Sequence, residues 1–267
     1  MKDWDVEAYI ASIDWNGRLS REIPLLSRCM QQLSSEDSGS STLNVLDLGC
    51  GPGKHLLALA RKFPLGSYLG IDIDDRMITK ANELYKHDSE KGLIAPTTHL
   101  HFALMDIMEF SKANECSMHF LYSIGNSLSL IWNDSGCRKT FDALHRIMKP
   151  KGILLFHVLN PCNPRDGYSS SGIKQLDDGS ECFTIKRFYP DLERKKMDFD
   201  LVVMKRRVGS VKHDIYPNQM SYPLIHVDAI QSILESTGFH EVSLYGGYGG
   251  EPFKTPTSGS LVCKARA

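Results

Sequence analysis

The chain has 267 residues, a net charge of −1 and a 42% share of hydrophobic residues, a composition typical of a globular protein with a buried core. The 31 basic residues only balance the 32 acidic ones. Proteins that bind nucleic acids usually carry a basic surplus, so no nucleic-acid partner is expected.

Signals for a membrane, for secretion and for a metal site are missing from the sequence. It has no apolar run long enough for a transmembrane helix, and the first residues lack the apolar core of a signal peptide. The seven cysteines form no CxxC pair, and His99 and His101 share a strand face without an evident third ligand. We therefore expect a cytoplasmic protein with reduced thiols, no metal and no membrane contact.

The first predicted element is a helix over residues 18–33, where apolar side chains recur at helical spacing. The serine-rich stretch 34–41 predicts an exposed linker. Together they make residues 1–41 an N-terminal helical lid and linker.

Strands and helices alternate in the next segment, residues 42–162. Apolar runs predict strands at 43–48, 68–73, 98–105, 118–124 and 153–159, with helices at 54–63 and 135–148 and a turn at 149–152. A further helix, which Asp74 or Asp75 can cap, has an apolar face from Met77 to Tyr85. Such alternation is typical of βαβ units, which form a parallel sheet with helices on both faces.

The pattern changes after residue 160. Residues 181–189 and 197–208 alternate as two strands around a polar turn, which predicts an antiparallel insertion over residues 163–222 that caps the substrate. Residues 223–267 return to the α/β pattern, with a helix at 226–237 and strands at 240–245 and 260–265.

A glycine-rich loop is the strongest motif. The first strand runs into Gly49-Cys50-Gly51-Pro52-Gly53, and a helix begins directly afterwards. Glycines let the backbone turn sharply and approach a ligand, with a helix N-terminus behind it. Asp72 ends the next strand 19 residues beyond Gly53, the spacing at which an acid reaches a ribose diol in doubly wound sheets. Strand, loop, helix and acid in register predict a cofactor site rather than a bare turn.

The segment Val45–Gly53 resembles motif I of the class I S-adenosylmethionine-dependent methyltransferases. The resemblance implies a doubly wound, mostly parallel, seven-stranded α/β sheet with an antiparallel last strand. It also implies S-adenosyl-L-methionine as cofactor and S-adenosyl-L-homocysteine as product. Asp72 matches the ribose-binding acid, and Asp106 lies where the family contacts the adenine amino group. The implied cofactor-binding residues are Asp47, Gly49, Cys50, Gly51, Gly53, Asp72, Ile73, Met77, Asp106, Ile107 and Ile124.

The end of the fourth strand resembles the glycine N-methyltransferase-like branch of the family through Gly125-Asn126-Ser127. The resemblance places Ile124, Gly125 and Asn126 beside the reaction centre; alternatively, Asn126 caps the following turn. Leu159 stands where glycine N-methyltransferases have an arginine for the substrate carboxylate, which argues against glycine as acceptor. Candidates for accepting a proton from the substrate are His157, Tyr122 and bulk water.

Trp15 and Arg18 are the remaining cofactor-binding candidates. The N-terminal segment can close over the cofactor, with Arg18 paired to the cofactor's carboxylate, because a charged group under a lid needs a partner. The alternative is a plain packing helix.

These patterns predict an enzyme, monomeric or homodimeric, that methylates a nitrogen or oxygen of a small-molecule acceptor. A methyltransferase acting on a protein or RNA and a non-catalytic S-adenosylmethionine-binding protein are the alternatives. An enclosed acceptor pocket would favour the first hypothesis, and an open charged groove the second.

Overall fold

A computed structural model describes residues 6–36, 42–132, 136–164, 166–176, 178–255 and 257–267. The chain divides into two compact units. The larger unit comprises Leu19–Asn163 and Ile225–Ala267, and the smaller one comprises the chain up to Arg18 together with Pro164–Leu224. Within the described residues, every helix is too short or too polar to cross a membrane.

The helices and strands have the following bounds in chain order. The helices are α1 (Val6–Ala11), α2 (Trp15–Glu36), α3 (Lys54–Lys62), α4 (Asp75–Glu90), α5 (Ile107–Ala113), α6 (Gly136–Ile147) and α7 (Val227–Ser236), with a 3-10 turn at Leu128–Ile131. The strands are β1 (Asn44–Leu48), β2 (Ser67–Asp72), β3 (His99–Leu104), β4 (Met118–Ser123), β5 (Met148–Leu159), β6 (Gly167–Ser170), β7 (Lys174–Gln175), β8 (Ser180–Asp191), β9 (Lys196–Arg207), β10 (Asp214–Pro223), β11 (His240–Tyr245) and β12 (Ser260–Arg266).

The larger unit is built on a seven-stranded sheet in the order β11-β12-β5-β4-β1-β2-β3. Strands β1 to β5 run parallel to their neighbours, whereas β12 pairs antiparallel with β5 and β11 antiparallel with β12. This order confirms the predicted doubly wound, mostly parallel sheet with an antiparallel last strand.

Buried side chains cover both faces of this sheet. All six residues of β4 are buried, as expected for a central strand with helices on each side. One buried cluster joins β1 and β4 to α2, α3 and α4, and another joins them to α5, α6 and α7. Because β1, β2 and β4 run parallel, their carboxyl ends meet at one edge of the sheet, where ligands of doubly wound folds bind.

The smaller unit is an antiparallel sheet in the order β10-β9-β8-β6, with β7 also paired to β8. Ala8 of α1 packs with Cys182, Leu201 and Val203 on one face of it. The predicted strand pair of the insertion corresponds to β8 and β9.

Several elements differ from the sequence-based expectation. The predicted helix 18–33 extends over Trp15–Glu36, and α1, α5, β6, β7 and β10 were not predicted. Residues 149–152, predicted as a turn, lie within β5 at an irregularity where the register with β4 shifts and Lys151 has a φ of 65°. There the N–H of Lys151 donates to the carbonyl of Ala267 at 2.8 Å, which pairs this stretch with the chain end instead of turning it away. Of the predicted linker, residues 37–41 lie outside the described part of the chain.

Candidate functional site at the carboxyl ends of the parallel strands

The glycine loop connects β1 to α3 in a left-handed conformation at three positions. Gly49, Gly51 and Gly53 have φ of 73°, 53° and 74°, a region that favours glycine. The N–H groups of Gly49 and Cys50 donate to the carbonyl of Ile71 at 2.9 and 3.1 Å, which ties the loop to the end of β2.

The three glycines differ in what surrounds them. A Cβ on Gly49 would stand 2.7 Å from Ser127 Cβ, and one on Gly53 would stand 2.5 Å from the ring of Phe102. These two glycines permit close packing inside the protein. A Cβ on Gly51 would meet no atom within 4 Å among its described surroundings, so there is open space where a side chain would begin.

Asp72 lies directly against this opening. Its Oδ2 accepts from the N–H of Gly51 at 2.8 Å, and its Oδ1 accepts from the N–H of Asp74 at 3.0 Å. Burial raises the pKa of Asp72 above its ordinary value, although these backbone donors act in the opposite direction. The two strongest predicted features, the loop and the acid, are therefore brought into contact.

The neighbouring strand ends expose apolar side chains. Ile73, just beyond β2, is 69% exposed, and Leu104, which pairs with Asp72 in the sheet, is 52% exposed. The Oδ1 of Asp106 accepts from the N–H of Met108 at 2.7 Å and so caps α5. The side chains of Met77 and Ile107 are instead buried, and Ile107 belongs to the cluster with α6 and α7.

Asp47 near the end of β1 and Cys50 within the loop are both buried. Asp47 is a sheet neighbour of Tyr122, whose side chain is fully buried. Burial, aided by the Asp47 carboxylate, raises the pKa of Tyr122 well above its ordinary value. Tyr122 therefore stays a neutral phenol inside the sheet, which disfavours it as a proton acceptor. Burial together with Asp47 and Asp72 likewise raises the pKa of the Cys50 thiol, so this thiol is not a reactive nucleophile.

Asn126 forms the junction between the ends of β4 and β5. Its φ is 72°, and its side-chain Oδ1 accepts from the N–H of Leu159 at 2.9 Å. Its own N–H donates to the carbonyl of His157 at 3.2 Å. The preceding Ile124 is buried. Asn126 thus has a structural task at this edge, whatever further role it takes.

His157 of β5 has a defined orientation. Its Nε2 lies 2.9 Å from Ser260 Oγ, and its ring stacks on Tyr248 with centroids 5.3 Å apart. Sequence reasoning named His157 but neither of these neighbours, because they come from a loop and a strand about a hundred residues later in the chain. The contacts of Ser127 and Phe102 with the glycine loop were not predicted either, because they depend on the order of the strands.

Trp15 and Arg18 belong to the smaller unit. The indole N–H of Trp15 donates to the carbonyl of Ile10 at 2.9 Å, and the guanidinium of Arg18 lies 5.4 Å from the Trp15 ring centroid. Their role in cofactor binding stays a prediction.

The described residues contain no group of three histidine, cysteine, aspartate or glutamate side chains placed to hold a metal ion. The potential ligand contacts at the edge are the Asp72 carboxylate and apolar side chains, because the N–H groups of the glycine loop already donate to Ile71, Asp72 and Cys50. Such a set suits an uncharged, hydroxyl-bearing organic group better than a cation.

Comparison with known proteins gives this edge a family context. Residues 45–152 match a family described as "Methyltransferase domain". A segment of 83 residues is 31% identical to trans-aconitate 2-methyltransferase of Rhodopseudomonas palustris and covers 31% of this chain and 28% of that protein. Another, of 132 residues, is 28% identical to the U6 snRNA methylphosphate capping enzyme Amus of Drosophila melanogaster and covers 46% and 42% of the two chains. The chain thus spans less than half the length of these relatives.

Solved structures extend the likeness to nearly the whole chain. The amino pentose methyltransferase CalS10 from Micromonospora echinaspora, solved with S-adenosylmethionine bound, has a TM-score of 0.68 at 15% identity, and all of both chains is covered. The sugar N-methyltransferase KedS8 from Streptoalloteichus has a TM-score of 0.69 at 15% identity over 95% of this chain and 91% of that chain. At this level of identity the likeness concerns the fold.

Proposed function

We propose that this chain, a class I S-adenosylmethionine-dependent methyltransferase by its domain family and its fold, methylates a nitrogen or oxygen of a small-molecule acceptor. The observation that carries the proposal is the open, left-handed Gly51 against the Asp72 carboxylate. Gly51 has no side chain, and the neighbouring Asp72 carboxylate can accept hydrogen bonds from hydroxyl groups. Together they fit the ribose of this cofactor.

Each feature of the edge has a part in holding the cofactor. Asp72 accepts hydrogen bonds from the ribose hydroxyls, and the glycine loop leaves room for the amino acid part. The exposed Ile73 lies beside the adenine, and Asp106 faces the adenine amino group. The buried Met77 and Ile107 support this surface. Asp47 fixes the loop from below, where Cys50 fills the space under Gly70.

The bound cofactor supplies a sulfonium methyl group that is already electrophilic, so the protein mainly has to bind and align the acceptor. In our proposal Asn126 and His157 line the acceptor side of the edge. The side-chain amide of Asn126 orients the acceptor. The N–H of Leu159 donates to the Oδ1 of Asn126 and so holds this amide in place. The imidazole of His157, oriented by Ser260, takes up the proton that an amine or hydroxyl loses.

A small-molecule acceptor is supported by the relatives named for trans-aconitate and for sugars. An RNA acceptor is the second candidate, because one relative is named as an RNA capping enzyme. The balanced charge of the chain favours the small molecule.

The first experiment is a calorimetric titration of the purified chain with S-adenosylmethionine and with S-adenosylhomocysteine. We expect saturable binding of both at one site per chain. The acceptor class is then tested by radiolabelled methyl transfer to a panel of amino sugars, carboxylic acids and short RNAs. A folded sample that binds neither compound at millimolar concentration would contradict the assignment of the glycine loop. Transfer to RNA alone would contradict the small-molecule acceptor.

A further inference from the structure

The antiparallel sheet of the smaller unit has two faces that differ in how much they are buried. Side chains alternate between the two faces along each strand, and Cys182, Leu201 and Val203 point to the face that packs against Ala8. We call the opposite face the open face. Its apolar side chains are Phe183, Ile185, Val202, Met204, Ile215 and Pro217. Among the described residues, none of these six belongs to or packs against a buried cluster.

The strand register arranges these six side chains in two parallel rows. Phe183 pairs with Met204, and Met204 pairs with Ile215. In the next row, Ile185 pairs with Val202, and Val202 pairs with Pro217. Ile185 is 37% exposed and Ile215 is 56% exposed, so the rows reach solvent. A contiguous apolar patch of this kind on a soluble protein marks an interaction surface.

Charged residues flank the two rows on both sides. On one side Glu181 and Arg206 pair in the sheet and form an ion pair at 2.6 Å. On the other side Arg187 pairs in the sheet with Asp200. The guanidinium of Arg187 lies 5.0 Å from the Tyr189 ring centroid, and Asp200 accepts from the Tyr189 hydroxyl at 3.2 Å. An apolar centre with a polar rim is the usual anatomy of a protein interface.

We propose that the open face binds the open face of a second copy of this chain. The order of the charged side chains along β8 and β9 favours a second copy as the partner. Consider a two-fold axis that lies between the two apolar rows and runs parallel to them. It brings the first row of one copy onto the second row of the other. The same rotation exchanges the charged positions. In β8 these lie three residues on either side of Thr184, and in β9 three residues on either side of Val203.

That exchange pairs opposite charges. Arg187 meets the partner's Glu181, and Asp200 meets the partner's Arg206. The reciprocal contacts form at the same time, as in any isologous interface. Charge complementarity of this kind sets the register and discourages other partners.

The size of the face fits a modest dimer. The two-fold axis passes near Thr184, Val203 and Tyr216, so the overlap with the partner covers residues 180–188 of β8, 199–207 of β9 and 214–218 of β10. At about 3.3 Å per residue and about 4.8 Å between strands, this overlap covers about 360 Å² in projection. It is smaller than the about 800 Å² that each partner of a standard interface buries. We therefore expect a dimer whose population depends on concentration.

Sedimentation equilibrium of the full chain over a range of concentrations tests the proposal. The unchanged chain is expected to dimerise, and Ile185→Lys is expected to raise the dimer dissociation constant at least tenfold. Leu192→Lys is the matched control, because Leu192 is 68% exposed in the same unit, in the turn between β8 and β9. Circular dichroism verifies that each variant is folded. A chain that stays monomeric at every concentration, or a dimer that both variants leave unchanged, overturns the proposal.

A charge reversal tests the two-fold arrangement itself. The double variant Glu181→Arg/Arg206→Glu keeps opposite charges within the chain but sets like charges against the partner's Arg187 and Asp200. We expect it to weaken the dimer at least tenfold. Adding Arg187→Glu and Asp200→Arg is expected to restore it. A double variant that dimerises like the unchanged chain, or a fourfold variant that does not recover, rules out this arrangement.

Discussion

Gly51 is the residue on which the cofactor site most depends. It combines a left-handed backbone with open space where a Cβ would point. Asp72 is hydrogen-bonded to its N–H, so any change at Gly51 also acts on the acid.

We expect Gly51→Ala to lower the affinity for S-adenosylmethionine at least tenfold, because the new methyl group enters the space left for the ligand. The left-handed backbone adds a stability cost of about 1–2 kcal/mol. Gly92→Ala is the matched control, since Gly92 has φ of 68° and the same open surroundings in the connection between α4 and β3. Thermal unfolding and calorimetry on both variants separate the two effects. Equal cofactor affinity in the two variants would show that the glycine loop is not part of the binding site.

The raised pKa of Asp72 makes cofactor binding depend on pH. The ionised carboxylate accepts hydroxyl donors, whereas the protonated one loses an acceptor. Affinity is therefore expected to fall as the pH is lowered toward this raised pKa. In the unliganded protein the sign is opposite: the group contributes stability below its unfolded pKa and loses it as the pH rises through the folded value.

Titrations from pH 7.5 to pH 5 with S-adenosylhomocysteine measure the effect, and Asp72→Asn is the reference. The variant is expected to bind more weakly and with a flatter pH dependence. A variant with the same pH profile as the unchanged chain would assign the dependence to another group.

At the scale of elements, the junction between β4 and β5 contains a residue, Asn126, that has both a structural role and a role in the proposed reaction. Asn126 holds the two strand ends together through its side-chain oxygen and its left-handed backbone. Both readings made from the sequence, a turn residue and a reaction-centre residue, are compatible with this geometry.

Two substitutions separate these roles. Asn126→Ala leaves the N–H of Leu159 without its acceptor, which costs about 1–3 kcal/mol of unfolding free energy, and adds backbone strain. Asn126→Gly loses the same hydrogen bond but tolerates the φ of 72°. We expect the glycine variant to be the more stable of the two, and both variants to lose turnover on the identified acceptor more than cofactor affinity. A glycine variant with full turnover would limit Asn126 to the turn.

The elements that periodicity predicted are those with a buried face. The runs behind β1, β2 and β4 are apolar because they lie inside the sheet, so their type followed from the sequence. All residues of β6 and β7 are exposed, and they give no apolar signal. Helix α5 has only seven residues, about two turns, which is too few for a helical period to stand out.

The same physical reason limits what could be predicted of the site. The loop and Asp72 are joined by one βαβ unit, so their spacing along the chain sufficed. The neighbours of His157 arrive from β12 and from the loop after β11, and only the strand order brings them there.

At the scale of the whole molecule, the chain forms its two units from discontinuous segments. The residues up to Arg18 belong with Pro164–Leu224, whereas the sequence grouped residues 1–41 together. Periodicity identifies which side of a helix is apolar but not which element will cover it, and α1 packs on Cys182 far along the chain. That the insertion caps the substrate stays a prediction.

Strand β10 lies at the border of the smaller sheet and carries Pro217 near its middle. An edge strand has a row of unpaired main-chain N–H and C=O groups, with which another chain can pair as a further strand. Proline has no N–H to contribute to such a row and is tolerated in sheets chiefly at borders. Sideways growth of this sheet by addition of a further strand is therefore discouraged at Pro217.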